Sequence, residues 1–249
     1  MIRDIDRYRE AYLKDYTFER VMVEYRHRFV AERIRNRNPR TVLEIGCGSE
    51  LLYKHYLTVS APPELWLIVE PNVDFARNAR ESNLPNLHVI TAFLENAIAD
   101  VMEEFGRAPE MVVCSSLLHE VTSAADLLAA IAKVMDSGAL LHVNVPNAAS
   151  FHRRLALVMR IIPALATPSE RNRSLLQHRI LDLDGLQAQL VDSGLVVCDA
   201  GGYFIKPFTH AQMAAIAPAL NEQVIDGLFE MGKSFPDWGA EIFAEARLA

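Results

Sequence analysis

The feature that most constrains the fold is a regular alternation of short apolar runs and helical patterns between residues 41 and 145. The runs are apolar at nearly every position and occupy residues 41–45, 65–69, 87–90, 111–114 and 139–145. Amphipathic patterns with helical spacing separate them, for example at residues 73–81, 98–105 and 125–135. Strands that are apolar on both faces and alternate with helices are typical of a parallel sheet covered on both sides. We therefore predict an α/β fold.

The flanking segments predict the ends of this sheet. Apolar residues recur with helical spacing near the N-terminus, and the pattern stops at residues 36–39. Two strand-like runs, 195–200 and 203–207, are joined by Gly201 and Gly202, which predicts an antiparallel β-hairpin at the end of a seven-stranded, mostly parallel sheet. The predicted parts are a helical cap (residues 1–38), a main domain (39–207) that contains an inserted helical element after strand five (146–194), and C-terminal helices on the same domain (208–249).

Composition excludes several classes of protein. Hydrophobic residues make up 51% of the chain and charged residues 23%, which is typical of a folded globular protein. The longest apolar stretch, residues 155–167, is interrupted by Arg160 and Pro163 and is too short to span a bilayer, so no membrane partner is expected. The net charge of −7 argues against nucleic acid. Three cysteines and the lack of an apolar leader suggest a cytoplasmic protein with reduced thiols.

A loop with two glycines follows the first predicted strand, in the sequence Glu44-Ile45-Gly46-Cys47-Gly48-Ser49-Glu50. Glycines at this place let the backbone turn tightly and approach a ligand. A dinucleotide fingerprint requires a third glycine where Leu51 stands, and the Gly-Lys-Ser/Thr of a P-loop is missing. An NAD-dependent dehydrogenase is therefore disfavoured. The carboxylates of the loop suit a cationic ligand instead.

Residues 42–48 resemble the first motif of the class I S-adenosylmethionine (SAM)-dependent methyltransferases, and the order of elements over about residues 40–207 is similar to that family. The resemblance implies a Rossmann-like fold, SAM as the cofactor and S-adenosylhomocysteine (SAH) as its product. Glu70 ends the second strand 22 positions after Gly48, where an acidic residue can accept hydrogen bonds from ribose hydroxyls; a simple helix cap is the alternative. The implied cofactor site comprises Glu44, Gly46, Cys47, Gly48, Glu50, Glu70, Pro71, Asn72, Phe93, Leu94, Ser115 and Ser116.

Two histidines follow the strands whose ends should face the reacting methyl group. His119 comes after strand four, and His152 opens the helix predicted after strand five. A neutral imidazole can take the proton that a hydroxyl or ammonium acceptor loses. We predict His119 first and His152 second as the catalytic base, with a packed side chain as the alternative for each.

A basic island marks the predicted acceptor site. Residues 151–180 contain six arginines against one acidic residue, Glu170. Such a cluster suits a carboxylate or phosphate, and a solvated basic face is the alternative. Residues 155–159 are apolar and are predicted to form a lid or an interface, such as that of a homodimer. The predicted acceptor-binding residues are Tyr16, Arg26, Asn147, Arg153, Arg171, His178 and Lys206.

A metal site is not expected, because serine and asparagine stand after strands four and five where a magnesium site would have carboxylates. Together these features predict a metal-independent methyltransferase that acts on an oxygen or nitrogen atom of a small, anionic metabolite. Two alternatives stay open. In the first, the acceptor is a sugar nucleotide or a glycan. In the second, the chain binds SAM or SAH without catalysis.

Overall fold

A single mixed sheet forms the centre of the molecule in the computed structural model, which describes residues 18–169, 172–173, 177 and 179–249. The spatial order of the strands is β3-β2-β1-β4-β5-β7-β6. Only β7 runs antiparallel to its neighbours, β5 and β6. The prediction of an α/β fold with a seven-stranded, mostly parallel sheet is confirmed. The strands are β1 (Thr41–Ile45), β2 (Leu65–Val69), β3 (Leu87–Ile90), β4 (Met111–Ser115), β5 (Leu140–Pro146), β6 (Leu195–Tyr203) and β7 (Glu241–Leu248).

Helices cover both faces of this sheet. Asn72 and Ser123 cap the helices that follow β2 and β4, because their side chains accept hydrogen bonds from backbone N–H groups of the first turn. Among the described helices, none is long and apolar enough to cross a membrane. The helices are α1 (Glu19–Arg37), α2 (Leu52–Tyr56), α3 (Val73–Glu81), α4 (Leu94–Phe105), α5 (Ala124–Val134), α6 (Phe151–Val158), α7 (Leu183–Asp192), α8 (His210–Ile216) and α9 (Glu222–Ser234).

Alternate residues of the central strands supply two separate cores. Leu43 and Leu67 belong to the core that α4, α5 and α7 cover. Val42 and Trp66, one position away, belong to the core beneath α1, α2, α8 and α9. Because side chains alternate across a strand, strands covered on both faces are apolar at most positions. This explains why the apolar runs could be recognised from the sequence.

The predicted hairpin is wrong in its position. Gly201 and Gly202 lie inside β6, and the antiparallel partner is β7, which comes from the segment for which only helices were predicted. A Cβ atom on Gly202 would collide with the carbonyl oxygen of Pro236. The two glycines therefore allow a 3-10 turn, Pro236–Trp238, to pack closely on the strand, and they do not form a turn themselves.

The strand order reverses between β1 and β4, which are neighbours in space. The connections that leave these two strands diverge to opposite sides, and a crevice opens at their carboxyl ends. The loop at residues 46–51 and the loop at residues 116–123 therefore face each other across one site.

The antiparallel part of the sheet contains an ion pair between Glu245 and Arg33. We predict that its contribution to the stability of the fold depends on pH. Burial alone would raise the pKa of Glu245, but hydrogen bonds from His142 and Arg33 outweigh it and lower the pKa from 4.5 to about 2. A carboxylate with a lowered pKa stabilises the fold above pH 4.5, and this stabilisation is lost as the pH falls towards 2. We expect the free energy of unfolding of Glu245→Gln to depend less on pH in this window. Denaturant titrations test this, with the exposed Glu103→Gln as control; equal slopes in wild type and Glu245→Gln would contradict it.

Candidate active site

A cleft with a volume of about 1500 Å³ opens at the carboxyl ends of the parallel strands. Tyr16, Arg171 and His178 lie outside the described residues. All other predicted site residues line the cleft: Arg26, Glu44, Gly46, Cys47, Gly48, Glu50, Glu70, Pro71, Asn72, Phe93, Leu94, Ser115, Ser116, His119, Asn147, His152, Arg153 and Lys206. The structure thus brings these side chains together around one space.

The loop after β1 follows a path that requires glycine. Gly46 and Gly48 have φ angles of 75° and 62°, which other residues rarely adopt. The Gly46 N–H donates to the carbonyl oxygen of Val69 at 2.9 Å, which ties the loop to the end of β2. No atom lies within 4 Å of the position that a Cβ on Gly48 would occupy. The backbone of Gly48 is therefore open to a ligand on this side.

Glu70 is held rigidly at the end of β2. One carboxylate oxygen accepts from the Cys47 N–H at 3.0 Å, and the other accepts from the Asn72 N–H at 2.8 Å. Only 5% of the residue is exposed, and burial raises its pKa against these hydrogen bonds. Oε1 keeps a further lone pair for a ligand hydroxyl, whereas Oε2 also faces the Cys47 thiol at 3.8 Å, a weak donor that a hydroxyl can replace. Asn72 also caps α3, so the capping role considered for Glu70 belongs to its neighbour.

Glu44, which we expect to suit a cationic ligand, is closed off from solvent. It is buried in the floor of the cleft, and its Oε2 accepts from the indole N–H of Trp66 at 2.7 Å. Burial raises its pKa to about 8 against the lowering effect of this hydrogen bond, and the carboxyl of Glu70 contributes to the rise. Burial therefore favours the protonated form of Glu44. A cation bound nearby would lower its pKa again.

The residues after β3 and β4 form two further walls. Phe93 begins α4 and is 37% exposed at the rim, whereas Leu94 beside it is buried. Ser115 ends β4, and Ser116 has a φ angle of 55°, in the left-handed region. Such strain at a serine is uncommon and often marks a functional loop. The Ser116 N–H donates to the carbonyl oxygen of Asn144 at 2.9 Å, which joins the walls after β4 and β5.

His119 is buried where these walls meet the inserted element. Only 3% of it is exposed, and its Nε2 accepts from the side-chain amide of Gln177 at 3.1 Å. The amide oxygen of Gln177 accepts in turn from Asn172 at 2.6 Å. A ring nitrogen that accepts from an amide belongs to a neutral imidazole. Gln177 was missed from the sequence because nothing local connects the inserted element with residue 119.

His152 is less suited to the role of a base. It opens α6, and its Nδ1 lies 3.1 Å from the hydroxyl of Ser150. Burial lowers its pKa to about 2, and the nearby Lys206, His210 and Arg153 add to this effect. An imidazole with such a low pKa does not hold a proton at neutral pH. His152 is therefore a neutral hydrogen-bonding group in the cleft, which differs from the proton acceptor that we expected.

Arg153 is anchored by neutral groups. Its Nε donates to the carbonyl oxygen of Ala148 at 3.0 Å, and its Nη2 donates to that of Thr167 at 2.6 Å, with Leu165 as a further acceptor. Arg179 likewise donates to the carbonyl oxygens of residues 121 and 122. Within the described part of the chain, neither guanidinium has a carboxylate partner. Both therefore contribute positive charge to the cleft that is not neutralised locally.

Arg26 and Asn147 differ from the free acceptor ligands that the sequence predicted. Arg26 is 7% exposed, and its Nη2 donates to Glu241 at 2.7 Å and to Glu19 at 3.2 Å. The amide of Asn147 donates to the carbonyl oxygens of residues 237 and 239, and its oxygen accepts from the Ala149 N–H at 2.8 Å. The charge of Arg26 is thus compensated, and Asn147 fixes the turn before β7.

Lys206 belongs to a chain of polar groups that continues from Arg26. Its ammonium lies 2.9 Å from Nδ1 of His210, and Nε2 of His210 lies 3.1 Å from Glu19. Sequence reasoning missed Glu19, His210 and Glu241, although all three line the cleft. Their partners lie as far as 215 positions away, so no local pattern could reveal them. No group of three or more potential metal ligands occurs among the described residues.

Comparison with known proteins defines the class to which the chain belongs. A family model described as a methyltransferase domain matches residues 12–199, so the chain belongs to this family. The resemblance to the class I SAM-dependent methyltransferases and the Rossmann-like fold are thereby confirmed. A search of curated protein sequences found no significant match.

Several solved structures share the fold. The plantazolicin methyltransferase BamL, in complex with a triazolic desmethylPZN analog and SAH, has a TM-score of 0.62 and 14% identity over 96% of this chain and 90% of its own. Magnesium protoporphyrin IX methyltransferase (ChlM) from Synechocystis PCC 6803 with bound SAH has a TM-score of 0.58 and 14% identity over 98% and 94%. A DUF574 family protein from Streptomyces avermitilis has a TM-score of 0.58 and 16% identity over 92% and 83%.

Proposed function

We propose that this chain transfers the methyl group of SAM to an oxygen or nitrogen atom of a small acceptor that carries a carboxylate or phosphate. The observation that carries this proposal is the asymmetry of the cleft. One end holds the glycine loop and the buried carboxyls of Glu44 and Glu70. The other end holds His119 with the guanidinium groups of Arg153 and Arg179, which have no carboxylate partner in the part of the chain that the structure describes.

The end of the cleft that holds Glu44 and Glu70 fits the cofactor. Within the described residues, neither Glu44 nor Glu70 has a cationic partner, and burial raises the pKa of both. A ligand with a sulfonium and an ammonium group supplies the missing positive charge. Glu70 offers fixed acceptor oxygens for two ribose hydroxyls, and the exposed ring of Phe93 at the rim offers an apolar surface for an adenine.

The opposite end of the cleft fits an acidic acceptor. A guanidinium that is bound only by carbonyl oxygens keeps its full charge in a partly buried place. A carboxylate or phosphate is the complementary ligand. The volume of about 1500 Å³ exceeds the roughly 300–1000 Å³ of ordinary ligand pockets, so the cleft has room for a cofactor and an acceptor together.

Some residues of the chain position the reacting molecules, and one takes the proton that the acceptor loses. SAM supplies an electrophilic methyl group when it is bound. Arg153 and Arg179 hold the acid group of the acceptor, and the buried walls exclude water from the reacting atoms. His119 takes the proton that the acceptor loses: Nε2 is the unprotonated nitrogen of its neutral ring, and the acceptor's hydroxyl or ammonium replaces the Gln177 amide at this atom before the proton moves to it. His152 remains neutral and orients the acceptor as a hydrogen-bonding group.

The test of this proposal uses SAM labelled on its methyl group and a metabolite extract of the source organism. We expect label in small, anionic products that bind an anion-exchange resin. Label in sugar nucleotides or in a glycan fraction would instead support the larger acceptor. If SAM binds in the same sample and no label is transferred under any extract condition, the chain is a binding protein and the catalytic proposal fails.

The role of Arg153 gives a separate prediction. Arg153→Gln keeps an amide for the carbonyl contacts but removes the charge, so we expect the acceptor KM to rise about tenfold or more with little change in kcat. Arg153→Lys restores the charge and should recover part of this loss. The exposed Arg107→Gln is the control. An unchanged KM for Arg153→Gln would remove the basis for an anionic acceptor.

A further inference from the structure

An exposed apolar strip runs along one face of α6 and onto the turn before β7. Positions 151, 155 and 158 recur at i, i+4 and i+7 and therefore share one side of the helix. The ring of Phe151 lies 5.7 Å from that of Trp238, which in turn lies 6.5 Å from Phe235. We define the apolar strip as Phe235, Trp238, Phe151, Leu155, Val158 and Met159.

The strip is unusually exposed for residues of its type. Val158 is 80% exposed, Met159 59%, Phe235 52% and Trp238 45%. Single apolar residues on a surface are common, whereas contiguous ones mark an interaction site. Ile161 continues the strip, since it is 67% exposed and also lines the cleft. The strip therefore extends to the mouth of the proposed acceptor site.

The charges around the strip are mainly positive. Residues 151–169 contain three arginines and no acidic residue, and apart from Arg153, which lines the cleft, these are Arg154 and Arg160. Arg154 borders the strip through its helical spacing to Val158, and Arg160 is exposed just beyond the helix. Asp237 is the acidic residue of the adjoining turn. Exposed aliphatic and aromatic residues flanked by arginine are typical of helices that lie in the interface of an anionic bilayer.

A second copy of the chain is a poorer match for the same surface. A twofold symmetric contact would place the strip of one copy against that of the other. Arg154 and Arg160 would then approach the same arginines of the second copy, and like charges across an interface are unfavourable. An anionic lipid surface has the opposite charge and accepts apolar side chains below its headgroups.

We propose that the apolar strip docks the chain peripherally on an anionic lipid bilayer, with the mouth of the cleft at the lipid surface. A peripheral contact needs no spanning helix, so it is compatible with the lack of one among the described helices. It departs from the expectation of no membrane partner, which rested on spanning length alone. The proposal goes beyond the methyl transfer and does not depend on it.

Co-sedimentation with vesicles tests this docking. We expect the wild-type chain to sediment with vesicles of phosphatidylcholine and phosphatidylglycerol and much less with phosphatidylcholine alone. Val158→Asp should weaken the binding by about tenfold or more, because it replaces an apolar side chain that enters the lipid. Arg160→Gln should weaken it by about fivefold, as expected for one basic residue at an anionic surface. Val191→Asp, at an exposed position (56%) in the last turn of α7, is the matched control.

Two results would overturn the docking proposal. One is that the wild-type chain stays in the supernatant with phosphatidylglycerol vesicles, or that Val158→Asp and Val191→Asp sediment equally. The other is that the wild-type chain is a dimer in solution that Val158→Asp dissociates, without any vesicle binding, which would assign the strip to a second copy. Sedimentation requires neither cofactor nor acceptor, so its failure would leave the proposed methyl transfer untouched.

Discussion

Replacement of His119 by alanine is expected to lower kcat by about 10²–10⁴-fold, the usual contribution of a positioned proton acceptor. The residue is buried between the loop after β4 and Gln177, so it is fixed in one place in the cleft. No hydrogen bond connects it to Glu70 or to the glycine loop within the described residues. The affinity for SAH should therefore stay within about twofold of wild type.

Steady-state kinetics and SAH titration of the same variant separate the two effects. His88→Ala is the control, because His88 is an exposed histidine that pairs with Glu104 away from the cleft. Gln177→Ala should lower kcat less than His119→Ala does, since it removes only the group that orients the ring. If His119→Ala retains wild-type kcat, the acceptor gives up its proton without this residue and the proposed role is wrong.

The second large effect is expected at Glu70. Glu70→Ala should weaken SAH binding by about 100-fold or more, because two hydrogen bonds to a charged acceptor contribute roughly 1.5–3 kcal/mol each. The loss includes the support that Glu70 gives to the Cys47 and Asn72 backbone N–H groups. Isothermal titration with SAH measures the change directly.

Glu70→Gln distinguishes a loss of SAH binding from misfolding of the Glu70→Ala variant. The amide keeps the size of the side chain and one acceptor oxygen, so we expect about tenfold weaker SAH binding with a melting temperature close to wild type. Glu64→Ala, an exposed residue before β2, should bind SAH normally. Wild-type affinity in Glu70→Ala would show that the ribose lies elsewhere.

The strands and loops that surround the cofactor end were predictable because their signal is local. β1, β2, β4 and β5 are buried along nearly their whole length and are therefore apolar at most successive positions. Gly46 and Gly48 adopt positive φ angles, a requirement that the sequence displays directly as glycine. The assembly of these elements in one cleft then followed from the rule that parallel strands end at the same edge.

The elements that the sequence did not reveal depend on distant partners. β7 contains two glutamates, Glu241 and Glu245, and two alanines, residue types that favour helices over strands. It is a strand because it pairs with β5 on one side and β6 on the other and buries Ile242 and Phe243. Its two glutamates pair with Arg26 and Arg33 of α1, more than two hundred positions away in the chain. Gly201 and Gly202 resembled a turn because the close approach of Pro236 cannot be read from neighbouring residues.

The predicted acceptor site likewise depends on contacts between residues that are distant in the sequence. Arg153 was recognised as a cation at the right end of the sheet, but its anchoring by carbonyl oxygens depends on the path of residues 165–167. His152 was treated as an ordinary histidine, and burial among Lys206, His210 and Arg153 lowers its pKa to about 2. The sequence pointed to candidate residues at this end of the sheet, but their hydrogen-bond partners and the pKa shift of His152 depend on the packed structure.

A crystal structure with SAH bound tests the proposed cofactor site and the place of the reacting atoms together. We expect the ribose hydroxyls within hydrogen-bonding distance of the Glu70 carboxylate and the sulfur atom facing His119 across the cleft. SAH bound with its ribose away from Glu70, or with its sulfur turned away from the end that holds His119, would show that the proposed site is wrong.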